Sequence, residues 1–248
     1  LDLLAAGEEQ RLNYGGRELS MIFQSPRTAL NPIRTVGRQV ADVLVRHANL
    51  PRAKVKARAV ELLVRVQIPD ARRRFEAYPF ELAGGMCQRV MIALAIACSP
   101  ALIIADEPTT GLDVTTQAGI LDLLDELRQT TRTATILITH DLGLAAERCD
   151  RIVVMHAGHV VEAAPTAELF AAPRHPYTAR LIASTPSPNV DIESLSSIPG
   201  NLPDLRRSDL PACRFHARCE RATERCPVDP IPEVSVEDRH SLRCFNPL

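Results

Sequence analysis

Between residues 84 and 162 apolar segments of strand length alternate with segments of helical periodicity, joined by only a few residues each, and this alternation constrains the fold most. Gly84-Gly85 opens an apolar helix running to about Cys98, and Leu102–Ala105 is a short run suited to a buried strand. Residues 115–128 place Ile120, Leu124 and Leu127 on one helical face, and Thr135–Ile138 is a second buried strand. A further helix follows Asp141. Arg151–His156 and His159–Glu162 then flank Ala157-Gly158 as a hairpin. Strands alternating with helices predict an α/β domain with a largely parallel sheet, because parallel neighbours need a crossover and the crossover helix covers the sheet. Functional residues in such a sheet collect at strand C-termini and helix N-termini.

Outside this block the patterns are looser. Residues 19–24 (LSMIFQ) are a short apolar run that leads into the turn-rich SPRTALNP. Residues 52–67 carry Val55, Ala59, Leu62 and Val66 at helical spacing. The basic run Arg72–Arg74 reads as a solvated helical face, since no aromatic or glycine-rich platform accompanies it. Residues 186–211 hold five prolines (Pro186, Pro188, Pro199, Pro203 and Pro211) and read as an extended connector. The segment beyond is too short for a hydrophobic core of its own. Hydrophobic residues at 46% and charged residues at 24% are ordinary for a globular protein. A formal net charge of -1 gives no electrostatic reason to expect nucleic acid as a partner. No apolar run approaches the roughly 20 residues of a membrane-spanning helix.

The chemistry-bearing residues fall where the α/β reading puts them. Asp106-Glu107 ends an apolar strand, Thr110-Gly-Leu-Asp113 follows, and His140 closes the next strand. Paired acids at a strand end suit Mg²⁺ binding by the first and activation of water by the second. Solvated acids and a polar histidine cap are the plainer alternatives for each taken alone. Gly84-Gly85 lets backbone N–H groups approach an anion at a helix N-terminus.

LAGGMCQR, LIIADEP, TGLD and LITHD, in this order and spacing, with SMIFQSPRTALNP before them, resemble the signature motif, Walker B, D-loop, H-loop and Q-loop of the ABC ATPases. His175-Pro-Tyr-Thr178, Ile198-Pro-Gly-Asn-Leu-Pro-Asp204 and CRFHARC resemble the C-terminal extension of oligopeptide/dipeptide importer ATPases, part of which nickel importers share. The resemblance implies an ABC-type nucleotide-binding domain, a parallel sheet with a helical subdomain, over residues 1–170. A small Cys-rich extension is expected over 171–248. It implies that Gln24 senses Mg²⁺ and the γ-phosphate, that Asp106 organises Mg²⁺, that Glu107 is the general base and that His140 contacts the γ-phosphate. Gly84 and Gly85 are implied to complete the nucleotide site of a second ATPase subunit, identical or different, with Asp113 at that interface. The implied partners are two transmembrane permease subunits and, indirectly, an extracytoplasmic substrate-binding protein. The implied location is peripheral, on the cytoplasmic face of the membrane. A soluble, non-transport ABC ATPase would use the same catalytic motifs.

Two departures stand out. Ala83 and Cys87 occupy signature positions where the family has Ser and a basic residue. No G-x-x-x-x-G-K-[ST] occurs in the 248 residues, which open on Leu rather than Met. A missing N-terminal part, or a remnant without catalysis, is the expectation, and the chain alone is expected to be inactive. Cys213, Cys219, Cys226 and Cys244, spaced x5, x6 and x17, read as one metal centre in the absence of an export signal. The spacings are wider than the paired C-x₂₋₄-C of structural zinc, and similar tails in peptide-importer ATPases carry clusters, so a [4Fe–4S] cluster is favoured over Zn²⁺. Two disulfides, free thiols, or a mixed zinc site with His216 or His240 are the alternatives.

Overall fold

The computed structural model describes residues 2–3, 5–48, 50–131, 133–186, 197–237 and 239–248. Part of the proline-rich connector, 187–196, lies outside the described residues. The chain divides into two compact units, Leu1–His140 and Asp141–Leu248.

The first unit runs α1 (Glu8–Tyr14), β1 (Leu19–Ile22), α2 (Pro26–Ala29), α3 (Val36–His47), α4 (Arg52–Arg65), α5 (Ala71–Arg74), α6 (Gly84–Ile96), β2 (Leu102–Asp106), α7 (Val114–Thr131) and β3 (Ala134–Ile138). Its sheet has the order β1-β2-β3 and both pairings are parallel, as the alternation predicts. Ile22, Ile103 and Ala105 turn into the core with the α6 residues Val90, Ile92 and Ala93. The opposite face carries Met21, Ile136 and Ile138, all exposed, although parallel sheets in α/β proteins are covered on both sides. The two strands expected from the sequence each extend by one residue, to Leu102–Asp106 and Ala134–Ile138.

A helical layer of α3, α4 and α6 shares the same core. Helix α3 was not among the sequence expectations. Val36, Val40 and Leu44 recur every fourth residue and are fully buried, a narrow stripe interrupted by exposed polar positions. The turn-rich SPRTALNP contains the single helical turn α2, started by Pro26 at its first position. In α5, Arg72 and Arg73 are exposed and only Ala71 is buried, in keeping with a solvated face.

The second unit runs α8 (Leu142–Arg148), β4 (Arg151–His156), β5 (His159–Pro165), α9 (Thr166–Ala171), α10 (Pro176–Ala183), β6 (Val234–Glu237) and β7 (His240–Leu242). Ala157 and Gly158, at φ +50° and +85°, make the two-residue turn of the β4–β5 hairpin. Strands β7 and β6 extend that hairpin into an antiparallel sheet of order β4-β5-β7-β6, so the C-terminal tail is fixed by strand pairing. Beneath the sheet the fully buried Glu162 accepts hydrogen bonds from the backbone of Arg174 (2.7 Å) and His175 (3.0 Å), and pairs with His240 at 2.8 Å. Phe215, 2% exposed, packs on the rings of Tyr177 and His156 at 5.3 and 5.4 Å. The tail therefore borrows a core from the hairpin and α10.

Gly37 offers a direct test of the packing in the first unit. A Cβ at this position would lie 2.1 Å from Phe75 Cγ, at the root of a buried ring that cannot swing away. Gly37→Ala is expected to destabilise the chain by about 1–3 kcal/mol through overpacking, read as a lowered unfolding midpoint in denaturant. An unchanged midpoint would show that α3 can shift away from Phe75 at no cost.

Candidate functional site

Strand β2 is central in its sheet, and its last residues emerge between two neighbours. The register pairs Ile22 with Ala105 and Ala105 with Leu137. Gln24 and Glu107 lie two residues beyond Ile22 and Ala105, and His140 lies three beyond Leu137, so all three leave the sheet at the same edge. Gln24 Nε2 donates to Glu107 Oε2 at 2.7 Å, and His140 Nδ1 is 3.1 Å from Glu107 Oε1. Thr110 Oγ1 donates to Glu107 Oε2 at 2.8 Å. Three groups, on residues up to 116 apart in sequence, thus converge on one carboxylate. Gln24, His140 and Glu107 itself were expected site residues. Thr110 was read only as part of its motif, and a hydroxyl three residues after an acid at a strand end is the signal that could have found it.

Glu107 has φ +43°, in the left-handed region that a non-glycine residue rarely takes. The conformation is held because Glu107 N donates to Ile138 O at 2.9 Å and Thr110 N to Glu107 O at 3.2 Å. Hydrogen bonds from Thr110 first, then from His140, hold the Glu107 carboxyl below its ordinary pKa and keep it ionised. The His140 side chain is 76% exposed, open to a ligand on its outer side. A charged, hydrogen-bonded carboxylate beside an exposed imidazole and a carboxamide can orient and deprotonate water next to an anionic substrate. Asp106, the last residue of β2, precedes it at the same sheet edge.

Residues 4–110 match the family model described as "ABC transporter", and residues 161–226 match "Oligopeptide/dipeptide transporter, C-terminal region". The oligopeptide transport ATP-binding protein AppD of Bacillus subtilis (strain 168) is 44% identical over 98% of this chain and 74% of its own length. The dipeptide transport ATP-binding protein DppD of Escherichia coli (strain K12) is 46% identical over the whole chain and 75% of its own length. The chain belongs to the ABC transporter ATPases. Among solved structures, the dimeric post-hydrolysis state of the ATP-binding cassette MJ0796, bound to ADP and Pi, superposes with a TM-score of 0.58 at 27% identity, covering 65% of this chain and 68% of that one. CbiO1 from Clostridium perfringens, part of the ABC transporter complex cbiONQ, gives 0.56 at 28% identity, covering 66% and 61%. Members of this family hydrolyse ATP in coupling to transport, and no helix among the described residues is long and apolar enough to cross a membrane.

The ABC signature lies at the start of α6. Gly84 and Gly85 are its first two residues, and the earliest backbone bond of this helix is from Cys87 N to Ala83 O. The N–H groups of Gly84, Gly85 and Met86 therefore have no partner within the helix and are available to an anion. Gly85 has a second reason to be glycine, since a Cβ there would lie 2.6 Å from Thr116 Cγ2. Thr116 in turn bonds Asp113, through its N–H to Oδ1 at 3.0 Å and its hydroxyl to Oδ2 at 2.6 Å. Those bonds hold Asp113 ionised, with its pKa lowered, as the cap of α7. The Cys87 thiol is buried and directed at Pro79 O, 3.3 Å away, so the usual basic residue is replaced by a core contact.

In the second unit Cys213, Cys219, Cys226 and Cys244 all line one small cavity, with Phe215 and Phe245 in its wall. All four are free thiols. Burial raises the pKa of Cys244 to about 11 and that of Cys213 above its usual range, and the neighbouring cysteines add to both shifts. Among the described residues no group of three or more His, Cys, Asp or Glu is already at distances suited to a single metal ion.

Ala83 occupies the N-cap of α6 with extended backbone, φ -65° and ψ 157°, and no side-chain cap bond. Ala83→Ser should add that cap and raise stability by about 0.5–2 kcal/mol in nucleotide-free thermal or denaturant unfolding. Unchanged unfolding would mean that the introduced hydroxyl does not reach the free N–H groups of the first turn.

Proposed function

We propose that this chain is the energising ATPase subunit of an importer for oligopeptides or dipeptides. In this reading Asp106 holds Mg²⁺, Glu107 is the general base, and Gln24 and His140 follow the γ-phosphate. Gly84 and Gly85 face the nucleotide of a second ATPase subunit, with Asp113 at that interface. The observation that carries the catalytic reading is the convergence of Gln24, Thr110 and His140 on the Glu107 carboxylate. The peptide reading is supported by the match of residues 161–226 and by the names borne by the relatives. Two permease subunits, a substrate-binding protein and a peripheral position at the cytoplasmic face of the membrane belong to the same proposal. The ATPase part is taken as residues 1–170 and the extension as 171–248.

The test uses the assembled transporter in membrane vesicles, with this sequence in a subunit that also carries a phosphate-binding loop. Glu107→Gln is expected to lower peptide-stimulated ATP hydrolysis and peptide uptake by about 10²–10⁴-fold while nucleotide binding is retained. Hydrolysis at the wild-type rate in that variant would remove Glu107 as the base. Uptake of Ni²⁺ and not of peptides would reassign the cargo.

The four tail cysteines are proposed to hold a [4Fe–4S] cluster. The support for this reading is the all-thiolate donor set around a single cavity, together with spacings wider than the close cysteine pairs of structural zinc. When bound, the cluster would cross-link the segment after the proline-rich connector to the C-terminal strand. Burial works against ionising Cys213 and Cys244, so metal must supply the charge that stabilises their thiolates. Anaerobic purification is expected to yield brown protein with iron and sulfide in equal amounts, and Cys226→Ser to lose both. Colourless protein with stoichiometric zinc would reject the cluster.

A further inference from the structure

A second, larger cavity of about 230 Å³ lies in the unit Asp141–Leu248, separate from the Gln24–Glu107–His140 site. The β4–β5 hairpin contributes His156 and His159 to its lining, the segment before α10 contributes His175, and the tail contributes Arg214 and Arg243. Val161, Phe215 and Ile231 give it apolar wall. Its size is below the roughly 300–1,000 Å³ of pockets that take drug-sized ligands, which leaves room for a small metabolite.

Charge selects among small molecules. Arg243 is paired with Glu233 at 3.0 Å, and Glu162 is satisfied by His240 and two backbone N–H groups. Arg214 differs. One of its terminal nitrogens donates to the Ala157 carbonyl at the hairpin turn, and its buried Nε has no acceptor among the described residues. Its guanidinium lines the cavity with no carboxylate partner among the described residues. Burial and the neighbouring arginines lower the pKa of His156 and His159, in the case of His156 to about 4, so these imidazoles stay neutral and the lining charge rests on guanidinium groups.

We infer that this cavity binds a small monocarboxylate with an uncharged, partly apolar body, its carboxylate on Arg214 and its body against Val161 and Ile231. One lining cation without a carboxylate partner matches one negative charge, whereas a phosphate dianion would enter under-compensated. A guanidinium presents parallel N–H groups that match a carboxylate, and the apolar wall receives the carbon chain. None of its residues belongs to the Gln24–Glu107–His140 site, and Cys213, one of the proposed cluster ligands, also lines it.

Isovalerate is the probe, titrated by calorimetry into the 248-residue chain, with inorganic phosphate and the zwitterion Ala-Ala as comparisons. One-to-one binding of isovalerate is expected, stronger than that of either comparison. Arg214→Ala should weaken it by about 10- to 150-fold, the value of a hydrogen bond to a charged group. Arg214→Lys should retain most of it, and Ala212→Phe, which fills the cavity and leaves the cation in place, should abolish it. Circular dichroism and unfolding of each variant separate loss of the site from loss of the fold. Absence of isovalerate binding at tens of millimolar overturns the inference, as does binding that survives both Arg214→Ala and Ala212→Phe in folded protein. Preference for phosphate overturns the monocarboxylate assignment, and equal binding of Ala-Ala overturns the uncharged body.

Discussion

The site depends on the burial of one strand. Leu102–Asp106 is hydrogen-bonded along both edges, to Leu19–Ile22 on one side and Ala134–Ile138 on the other. Ile103 and Ala105 are buried, and this fixes the register of β2 against the helical layer. Once that register is set, the first residue past the strand must turn out of the sheet. Glu107 does so with a left-handed backbone, at a cost of order 1–3 kcal/mol that its bonds to Ile138 and Thr110 offset. Residues leaving the flanking strands then have no freedom to be elsewhere. Gln24 and His140 reach the carboxylate because the sheet is parallel and all three strands end together.

This explains why so much of the site could be read from the sequence. A short apolar run ending in two acids leaves little choice of strand, direction or edge, and the same holds for the run ending at His140. What escaped notice acts across distance or through shape. Thr110 matters by its hydroxyl geometry, and Gly85 partly by the methyl group of Thr116 that would occupy its Cβ position. Helix α3 carries a signal that could have found it, since Val36, Val40, Val43 and Leu44 fall on one helical face, a segregation sharper than that of α4. In the tail, three- and four-residue strands carry no signal of their own. Their place is set by β5, some 80 residues earlier in the chain.

The HPYT segment illustrates the difference between a recognisable motif and its physical role. His175 is the N-cap of α10, its Nδ1 accepting from Tyr177 N at 3.0 Å, and Pro176 takes the first helical position, where a missing N–H costs nothing. The backbone N–H groups just before that helix are directed at Glu162, a carboxylate without solvent contact. Such a charge is tolerated because three donors surround it, and the third, His240, comes from the last strand. One buried acid thereby fastens hairpin, helix and tail together, and removal of any single donor would leave a buried charge under-satisfied.

A related continuity links the two ends of the first unit's chemistry. The start of α6 cannot move independently of α7, because Thr116 fills the space beside Gly85 and bonds Asp113 by both backbone and hydroxyl. Between Asp113 and Glu107 lies a loop closed on itself: Gln117 donates to the carbonyls of Thr109 and Leu112, and Thr110 donates to the Glu107 carboxylate. Displacement of the α6 N-terminus would therefore strain a loop whose other end holds the Glu107 carboxylate. The link rests on residues 85, 107, 110, 113, 116 and 117 and does not involve Ala83, the N-cap of α6.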